Sequence, residues 1–385
     1  MRKKTLLVII PDYVSDILEK GEYTPRYYNP GNLFDEVHLL MTNDDQPDPR
    51  DVEKTVGRAK LYLHNLPKPS FIRTLGWQHF LLREWVRAGI QLAKKIQPAL
   101  IRVHGDHFSN YLSAHLKMYL GIPVIVSLHG NPDIDYGRLC HTPQQKYAHW
   151  QSKRLGEKYL HWIDHFIIVY SPIKPYLESR GLTNYSLIYN IVGIGAIPKT
   201  DYSIEERVKC LCVGRQQSNQ KDQRPILQAI SQIDNIVFHL YGNGNLHNEL
   251  VAMAKTLKIE DRVFFRKGVP NDELMREMKY FDIYIYNSIN YEISKTVIEA
   301  ALVGLPIIHN VRRPTLSEEL AGDYILKVDN TSEGYRQGLN KLISNRSLRA
   351  ELGSKARAHA KQHWDPEMME EKVVSLYKSI VPGFP

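Results

Sequence analysis

From Phe281 to Ile308 the chain runs through an alternation of aromatic and aliphatic residues, a polar loop, a nearly all-apolar stretch and a second apolar run. That succession reads as strand, loop, short helix and strand, the repeating unit of a parallel sheet. Ser294 stands where a helix N-cap belongs, and Gly304 with Pro306 closes the helix. Between Val297 and Val303 only Glu299 is polar. A helix apolar nearly all round is buried, so Glu299 is a carboxylate in a largely dry setting that needs a partner. A ligand hydroxyl would serve. The alternative is a surface ion pair with Lys295, four residues earlier, an orientation worth roughly 0.3 kcal/mol.

The same patterning extends over the whole chain. In the first half, strands are expected at Leu6–Ile10, Glu36–Met41, Leu100–Val103, Pro123–Leu128, Phe166–Val169 and, briefly, Leu187–Tyr189. Helices are expected at Trp77–Ile96, stopped by Pro98, at Tyr111–Leu120, ended by Gly121, at His149–Trp162, and after Pro175. Residues 193–201 are rich in Gly and Pro, lack periodicity and read as an inter-domain linker. Strands then resume at Val208–Val213, Ile236–Tyr241, Val263–Phe265, Ile283–Tyr286 and Pro306–His309, and Pro366–Ile380 is an amphipathic helix. The expected architecture is α/β: two doubly wound Rossmann-like domains, residues 1–198 and 199–365, facing a central cleft. Residues 366–385 form a helix packing back on the N-terminal domain. In such sheets ligands sit beyond the carboxyl ends of the strands.

Composition narrows the function classes. The 385 residues are 43% hydrophobic and 24% charged, enough for two cores. No apolar run approaches the roughly 20 residues of a bilayer span, and Thr5–Pro11 is too short for a signal peptide, so a cytoplasmic location is expected. Cys140, Cys210 and Cys212 make no disulfide framework; the last two alternate in a strand and pack as small hydrophobes. The net charge of +8 suits nucleotide phosphates or an acidic lipid surface. Nucleic acid is excluded as a partner by the lack of a zinc spacing, an RNA-binding aromatic signature or a long basic helix. The 16 histidines show no metal-ligand spacing.

Candidate chemistry gathers after the later strands. Gly214-Arg215 follows Val208–Val213, and Lys221 precedes the next helix. Glycine lets a ligand approach the backbone, a helix start offers free amides, and two cations at one strand edge suit a diphosphate. Tyr241-Gly242-Asn243-Gly244-Asn245 is a tight strand-to-helix turn rather than a dinucleotide fingerprint. In the first half, Ser127-Leu128-His129-Gly130 puts a histidine directly after a strand, able to donate to a sugar hydroxyl. His104-Gly105-Asp106-His107 follows the preceding strand, and Gly31 is the glycine nearest the first strand that could approach a phosphate.

Taken in order, Gly214-Arg215, Lys221, Gly242-x-Gly244, Gly268-Val269-Pro270, Glu292, Glu299-Ala300 and Gly304-Leu305-Pro306 resemble the C-terminal domain of family-four glycosyltransferases (glycosyl transferases group 1). These are retaining enzymes of GT-B architecture. The resemblance is strong over about residues 205 to 320 and loose elsewhere. It implies that Arg215 and Lys221 hold the donor diphosphate and its developing charge, that Glu299 binds the ribose hydroxyls, and that Val269 lies in the loop whose backbone reads the nucleobase. His129 matches the family's active-site histidine, with Gly130 beside it. Ser294, Lys295 and Thr296 fall at the donor-binding helix start. Fixed cations at a leaving diphosphate imply catalysis with no metal and no cofactor beyond the nucleotide-sugar substrate.

The chain departs from the pattern in three places. Six residues separate Glu292 from Glu299 where the family has seven, so either Glu292 or Tyr291 takes the sugar-contacting position. Residues Asp12–Asn32 replace the usual paired-glycine loop, and Asn190-Ile191-Val192-Gly193 replaces a motif at the end of the first domain. The resulting expectation is a retaining transferase moving a hexosyl group from a UDP- or GDP-sugar to a glycan or lipid-linked hydroxyl, in polysaccharide or glycoconjugate synthesis. A nucleotide-sugar epimerase using Asp106 or Asp133, and a nucleotide-binding subunit without catalysis, are the alternatives. Peripheral contact with an anionic membrane is a further expectation from the charge; oligomeric state is not legible.

Overall fold

The computed structural model describes residues 4–19, 21, 23–69, 78–105, 107–134, 140, 142–217, 220–289, 292–311, 317–381 and 383. Tyr291, Asp106 and Trp77 lie outside the described residues.

The chain forms two compact α/β units. The first comprises Met1–Glu19, Tyr23–Tyr189 and Met369–Pro385; the second comprises Lys20–Glu22 and Asn190–Met368. In the first, β1 (Thr5–Ile10), β2 (Glu36–Met41), β3 (Lys60–Asn65), β4 (Leu100–His104), β5 (Val124–Leu128), β6 (His165–Ile168) and β7 (Tyr185–Leu187) make one parallel sheet ordered β3-β2-β1-β4-β5-β6-β7. Every residue of β1 is buried, as expected for a strand covered on both faces. The order reverses between β1 and β4, the topological switch point of a doubly wound sheet.

The helices of this unit are α1 (Val14–Glu19), α2 (Pro49–Glu53), α3 (Gln78–Ile96), α4 (His107–Leu120), α5 (Pro143–Glu157) and α6 (Lys174–Glu178). Two of them begin earlier than the periodicity predicts. His107 opens α4, whose Phe108, Ser109 and Asn110 are already buried. Thr142 caps α5 through a reciprocal bond pair with Gln145, and Pro143 supplies the first helical position, so α5 starts six residues ahead of His149. It also ends at Glu157, with a separate 3-10 turn at Leu160–Trp162. The short strand expected at Leu187–Tyr189 lies at Tyr185–Leu187, and β3 was not anticipated because only its alternation, not its hydrophobicity, marks it.

In the second unit β8 (Val208–Val213), β9 (Ile236–Tyr241), β10 (Val263–Arg266), β11 (Ile283–Tyr286), β12 (Ile307–Val311) and β13 (Ile325–Asp329) form a parallel sheet ordered β10-β9-β8-β11-β12-β13. Here the order reverses between β8 and β11. The helices are α7 (Arg224–Ile230), α8 (His247–Thr256), α9 (Asn271–Glu277), α10 (Lys295–Val303), α11 (Ser332–Ser344) and α12 (Arg346–His363). Cys210 and Cys212 are free thiols inside this core, packed with Ile226, Phe238, Ile283 and Tyr335.

The segment expected to be a linker is laid against α10: the Lys199 amide donates to Val303 O at 2.8 Å. A Cβ on Gly193 would stand 2.4 Å from Leu302 Cδ1. The terminal helix α13 (Pro366–Ile380) contributes its residues from Met369 onward to the first unit. There Tyr377 meets Phe34 edge-on at 6.1 Å, and Glu370 accepts from Arg26 (3.0 Å) and from the Gly31 amide (2.8 Å).

Candidate functional site

The switch point of the second unit collects the residues that carry charge. Immediately after β8, Gly214 and Arg215 turn the chain outward. The Arg215 side chain is exposed and makes no hydrogen bond or ion pair with the described residues. The loop returns through a bridge between Gln217 and Lys221, whose amides and carbonyls exchange bonds of 2.8 and 3.2 Å. This brings the Lys221 ammonium 5.2 Å from the centre of the Tyr286 ring at the end of β11. Burial opposes the ammonium form of Lys221, but Tyr286 and Glu292 outweigh it and raise its pKa. Lys221 is therefore a fixed cation, set at the edge where β8 and β11 diverge.

Helix α10 starts at the same edge. Ser294 has the extended N-cap dihedrals, φ −75° and ψ 145°, yet its hydroxyl makes no capping bond. It pairs instead with Thr296 Oγ1 at 3.0 Å. That threonine hydroxyl in turn meets the Tyr284 hydroxyl at 2.7 Å and Val213 O at 3.2 Å, so Thr296 ties the helix start to β8 and β11. Both hydroxyls are engaged within the protein, so through their side chains Ser294 and Thr296 hold the helix start in place. Gly304 ends the helix in the left-handed region, φ 85°, where glycine is favoured.

Glu299 is 2% exposed and accepts from Asn271 Nδ2 at 2.6 Å. Asn271 opens α9 directly after the buried Val269 and the exposed Pro270, so the carboxylate and the Val269 loop are joined. Glu292 is half-buried and contributes to the field on Lys221.

Gly242 and Gly244 are placed by packing. A Cβ on Gly242, at φ +135°, would lie 2.1 Å from Gly214 O, and one on Gly244 would lie 2.2 Å from Gln216 O. Gln216, fully buried, locks the two loops together: its side-chain amide donates to Gly242 O (2.9 Å), and its backbone joins Asn243 O (3.0 Å) and the Leu246 amide (3.0 Å). These glycines thus let the two loops pack closely and set the position of Gly214 and Arg215. His309, one strand away, was not anticipated. It is 3% exposed, its Nδ1 lies 2.7 Å from Asn310 O, its ring is 5.2 Å from that of Tyr286, and burial lowers its pKa to about 4.

At the switch point of the first unit, His104 ends β4 and His129 follows β5. Their rings lie 5.7 Å apart and nearly parallel. His104 is also held between Tyr27 (5.5 Å) and Tyr28 (5.4 Å), which join Tyr23 in an aromatic cluster. His129 is exposed at the outer end of this row, with Gly130 next to it. The sequence reading passed over Tyr27 and Tyr28, although Arg26-Tyr27-Tyr28-Asn29-Pro30 is a dense aromatic signal. Gly31 does not lie at the end of β1: its amide is used by Glu370, and a Cβ there would meet Val374 Cγ2 at 2.8 Å. Gly31 therefore seats α13 rather than a phosphate. His107 is likewise occupied, edge-on to His149 at 5.5 Å where α4 packs on α5.

Asp133, a candidate acid or base for epimerisation, lies between Lys153 (2.5 Å) and Arg180 (3.0 Å). Burial raises its pKa, but the bonds from Arg180 and Lys153 prevail and hold it low. A carboxylate pinned in its ionised form is a poor proton donor.

Comparison with known proteins gives the family and the fold. Residues 198–359 match the family of glycosyl transferases group 1, and residues 33–194 match glycosyltransferase family 4. An uncharacterised glycosyltransferase of Methanocaldococcus jannaschii is 21% identical, covering 99% of this chain and 98% of its own length. Spore coat protein SA of Bacillus subtilis is 27% identical over 151 residues, which is 38% of this chain and 37% of that protein. Among solved structures, HepE of Anabaena in complex with UDP superposes with a TM-score of 0.71 at 16% identity, over 97% of this chain and all (100%) of that one. Sucrose-phosphate synthase of Thermosynechococcus elongatus gives 0.73 at 14% identity, over 98% of this chain and 99% of that one. At these identities the structural likeness speaks for the fold, that of two Rossmann-like domains.

Proposed function

The chain is a glycosyltransferase, belonging to group 1 through its second unit and to family 4 through its first, and from that premise we propose that it moves a hexosyl group from a UDP- or GDP-sugar to a glycan or lipid-linked hydroxyl with retention at the anomeric carbon. The observation that carries the reading is the pairing of an exposed Arg215, whose side chain has no partner among the described residues, with a Lys221 kept protonated, both at the β8 edge beside the start of α10. In this reading the bond from the anomeric carbon to the β-phosphate oxygen breaks with its electron pair going to the phosphate. The acceptor hydroxyl oxygen forms the new bond and gives its proton to the departing β-phosphate oxygen. Charge developing on the diphosphate meets two fixed cations and the positive end of α10. Glu299 takes the ribose hydroxyls, the Val269 loop meets the base through its backbone, and Glu292 addresses the donor sugar.

In the first unit the His129 ring stacks on that of His104 at 5.7 Å, and the resemblance to the family gives it a sugar hydroxyl as partner. HepE, whose solved form holds UDP, makes UDP the first donor base to try. The cations stand in for a metal in this account, so a rate measured in EDTA equals that measured without it.

The direct experiment is incubation with UDP- and GDP-sugars and a set of glycan and lipid-linked acceptors, following free nucleoside diphosphate. Acceptor-dependent release with one donor is the expected outcome, and proton NMR of the product then shows the donor's anomeric configuration. Tight donor binding with no release under any combination would favour a binding subunit instead. An inverted anomer would remove the retaining assignment alone.

A further inference from the structure

Helix α5 carries two faces of opposite character. Its inner face packs on α4: a Cβ on Gly156 would fall 2.7 Å from His107 O, and His149 meets His107 at 5.5 Å. Along its flank the charges are matched, Lys153 with Asp133 at 2.5 Å and Glu157 with Arg180 at 2.8 Å. The outer face is different. Tyr147, Trp150, Arg154 and Lys158, spaced three to four residues apart, share one side of the helix. Tyr147 is 44% exposed and Trp150 is 48% exposed. Trp162, in the turn just beyond, is also 48% exposed. The Tyr147 and Trp150 rings lie 6.2 Å apart, with the Arg154 guanidinium 5.6 Å above Trp150.

Exposed tryptophan is costly in water unless something covers it. The neighbouring cations are equally unmet, since none of Lys146, Arg154 and Lys158 has an acidic partner among the described residues. The only acidic residue of α5, Glu157, is committed to Arg180 and Lys153. A surface of Trp and Tyr interleaved with Lys and Arg, and without carboxylates, fits one environment best. At a membrane interface the aromatic rings enter the headgroup layer while the cations meet anionic phosphates. We propose that the outer face of α5 docks the first unit on an anionic lipid surface. This stands apart from the donor-site reading, because it uses no residue of that site.

The test uses the full chain and sedimentation with vesicles of phosphatidylcholine alone or with about 30% phosphatidylglycerol, a fraction giving the anionic surface potential the cations need. Binding is expected to the anionic vesicles, to fall with salt, and to be weak on phosphatidylcholine alone. Replacing Arg154→Glu together with Lys158→Glu lowers the bound fraction about tenfold, from loss and reversal of two surface charges. Replacing Tyr147→Ser with Trp150→Ser also lowers it, and both pairs keep wild-type UDP or GDP affinity because none of these residues belongs to the donor site. No binding to anionic vesicles, equal binding to neutral ones, or undiminished binding by the variants overturns the proposal. So does concentration-dependent dimerisation abolished by Trp150→Ser without any vesicle binding, which would assign the face to a second copy of this chain.

Discussion

In the proposed diphosphate site, Lys221 and Arg215 would divide the work in a way their surroundings dictate. Lys221 is held by Tyr286 and in the field of Glu292, so its position and charge are set before any ligand arrives. Arg215 is exposed and free to close on the ligand. Replacing Arg215→Ala should lower kcat/KM for transfer about 10²–10³-fold, the cost of removing one preorganised charge-stabilising group, with the melting temperature unchanged. Arg215→Lys should recover part of the rate, since charge returns without the planar fork. The raised pKa of Lys221 means that its charge is present throughout the neutral range. A rate profile should therefore show no loss from Lys221 until the pH exceeds the ordinary lysine value of 10.5. His309 works in the opposite sense. Buried neutral with a pKa of about 4 against 6.5 when unfolded, it contributes stability at pH above 6.5 that is lost as pH falls toward 4. The full effect is about 3 kcal/mol. Denaturant titrations at pH 7 and pH 4.5 should show a smaller acid loss in His309→Leu than in the wild type.

At the scale of elements, the helix α10 and the two loops beside it form one assembly. Thr296 links α10 to β8 and β11 through its hydroxyl, so Thr296→Val should cost about 1 kcal/mol in denaturant unfolding through loss of its bonds with Tyr284 and Val213, which keep their own bond to each other at 3.3 Å. Glu299→Gln keeps the size of a side chain that already accepts from Asn271, and in our reading loses the charge that binds ribose. We expect the donor KM to rise about tenfold with kcat little changed, as for loss of one charge-assisted bond made equally in ground and transition states. Much of this assembly was legible from residue order. The near-continuous apolar runs of β1, β5 and β8 marked buried parallel strands, and Glu299 alone in an apolar helix marked a buried carboxylate. What escaped was set by tertiary contacts. Nothing local tells that Gly242 and Gly244 face the backbone of Gly214 and Gln216, or that Gly31 gives its amide to Glu370 more than 300 residues later. The missed start of α5 is another matter, because Thr142-Pro143-Gln144-Gln145 is a capping box visible in the sequence.

For the molecule as a whole, the two sheets repeat one topology, and each brings its chemistry to the strand ends where the order reverses. The chain closes by returning Met369–Pro385 to the first unit, where Met369, Val373 and Tyr377 are buried. Tyr377→Ala should destabilise this unit by about 3–5 kcal/mol, the usual cost of deleting a buried aromatic ring. If the two units unfold separately, calorimetry should show the lower transition move while the upper one stays. No helix among the described residues is long and apolar enough to cross a membrane.

The central claim is that the β8–β11 edge of the second unit holds a nucleoside diphosphate. Calorimetric titration of UDP and of GDP into the wild type and into Arg215→Ala tests it most directly. The account predicts one nucleotide per chain for at least one base, with affinity that falls as salt rises and drops at least about tenfold in Arg215→Ala, the loss of one charge-assisted phosphate contact. Binding of equal strength in the variant, or no binding of either nucleotide to the wild type, would contradict it.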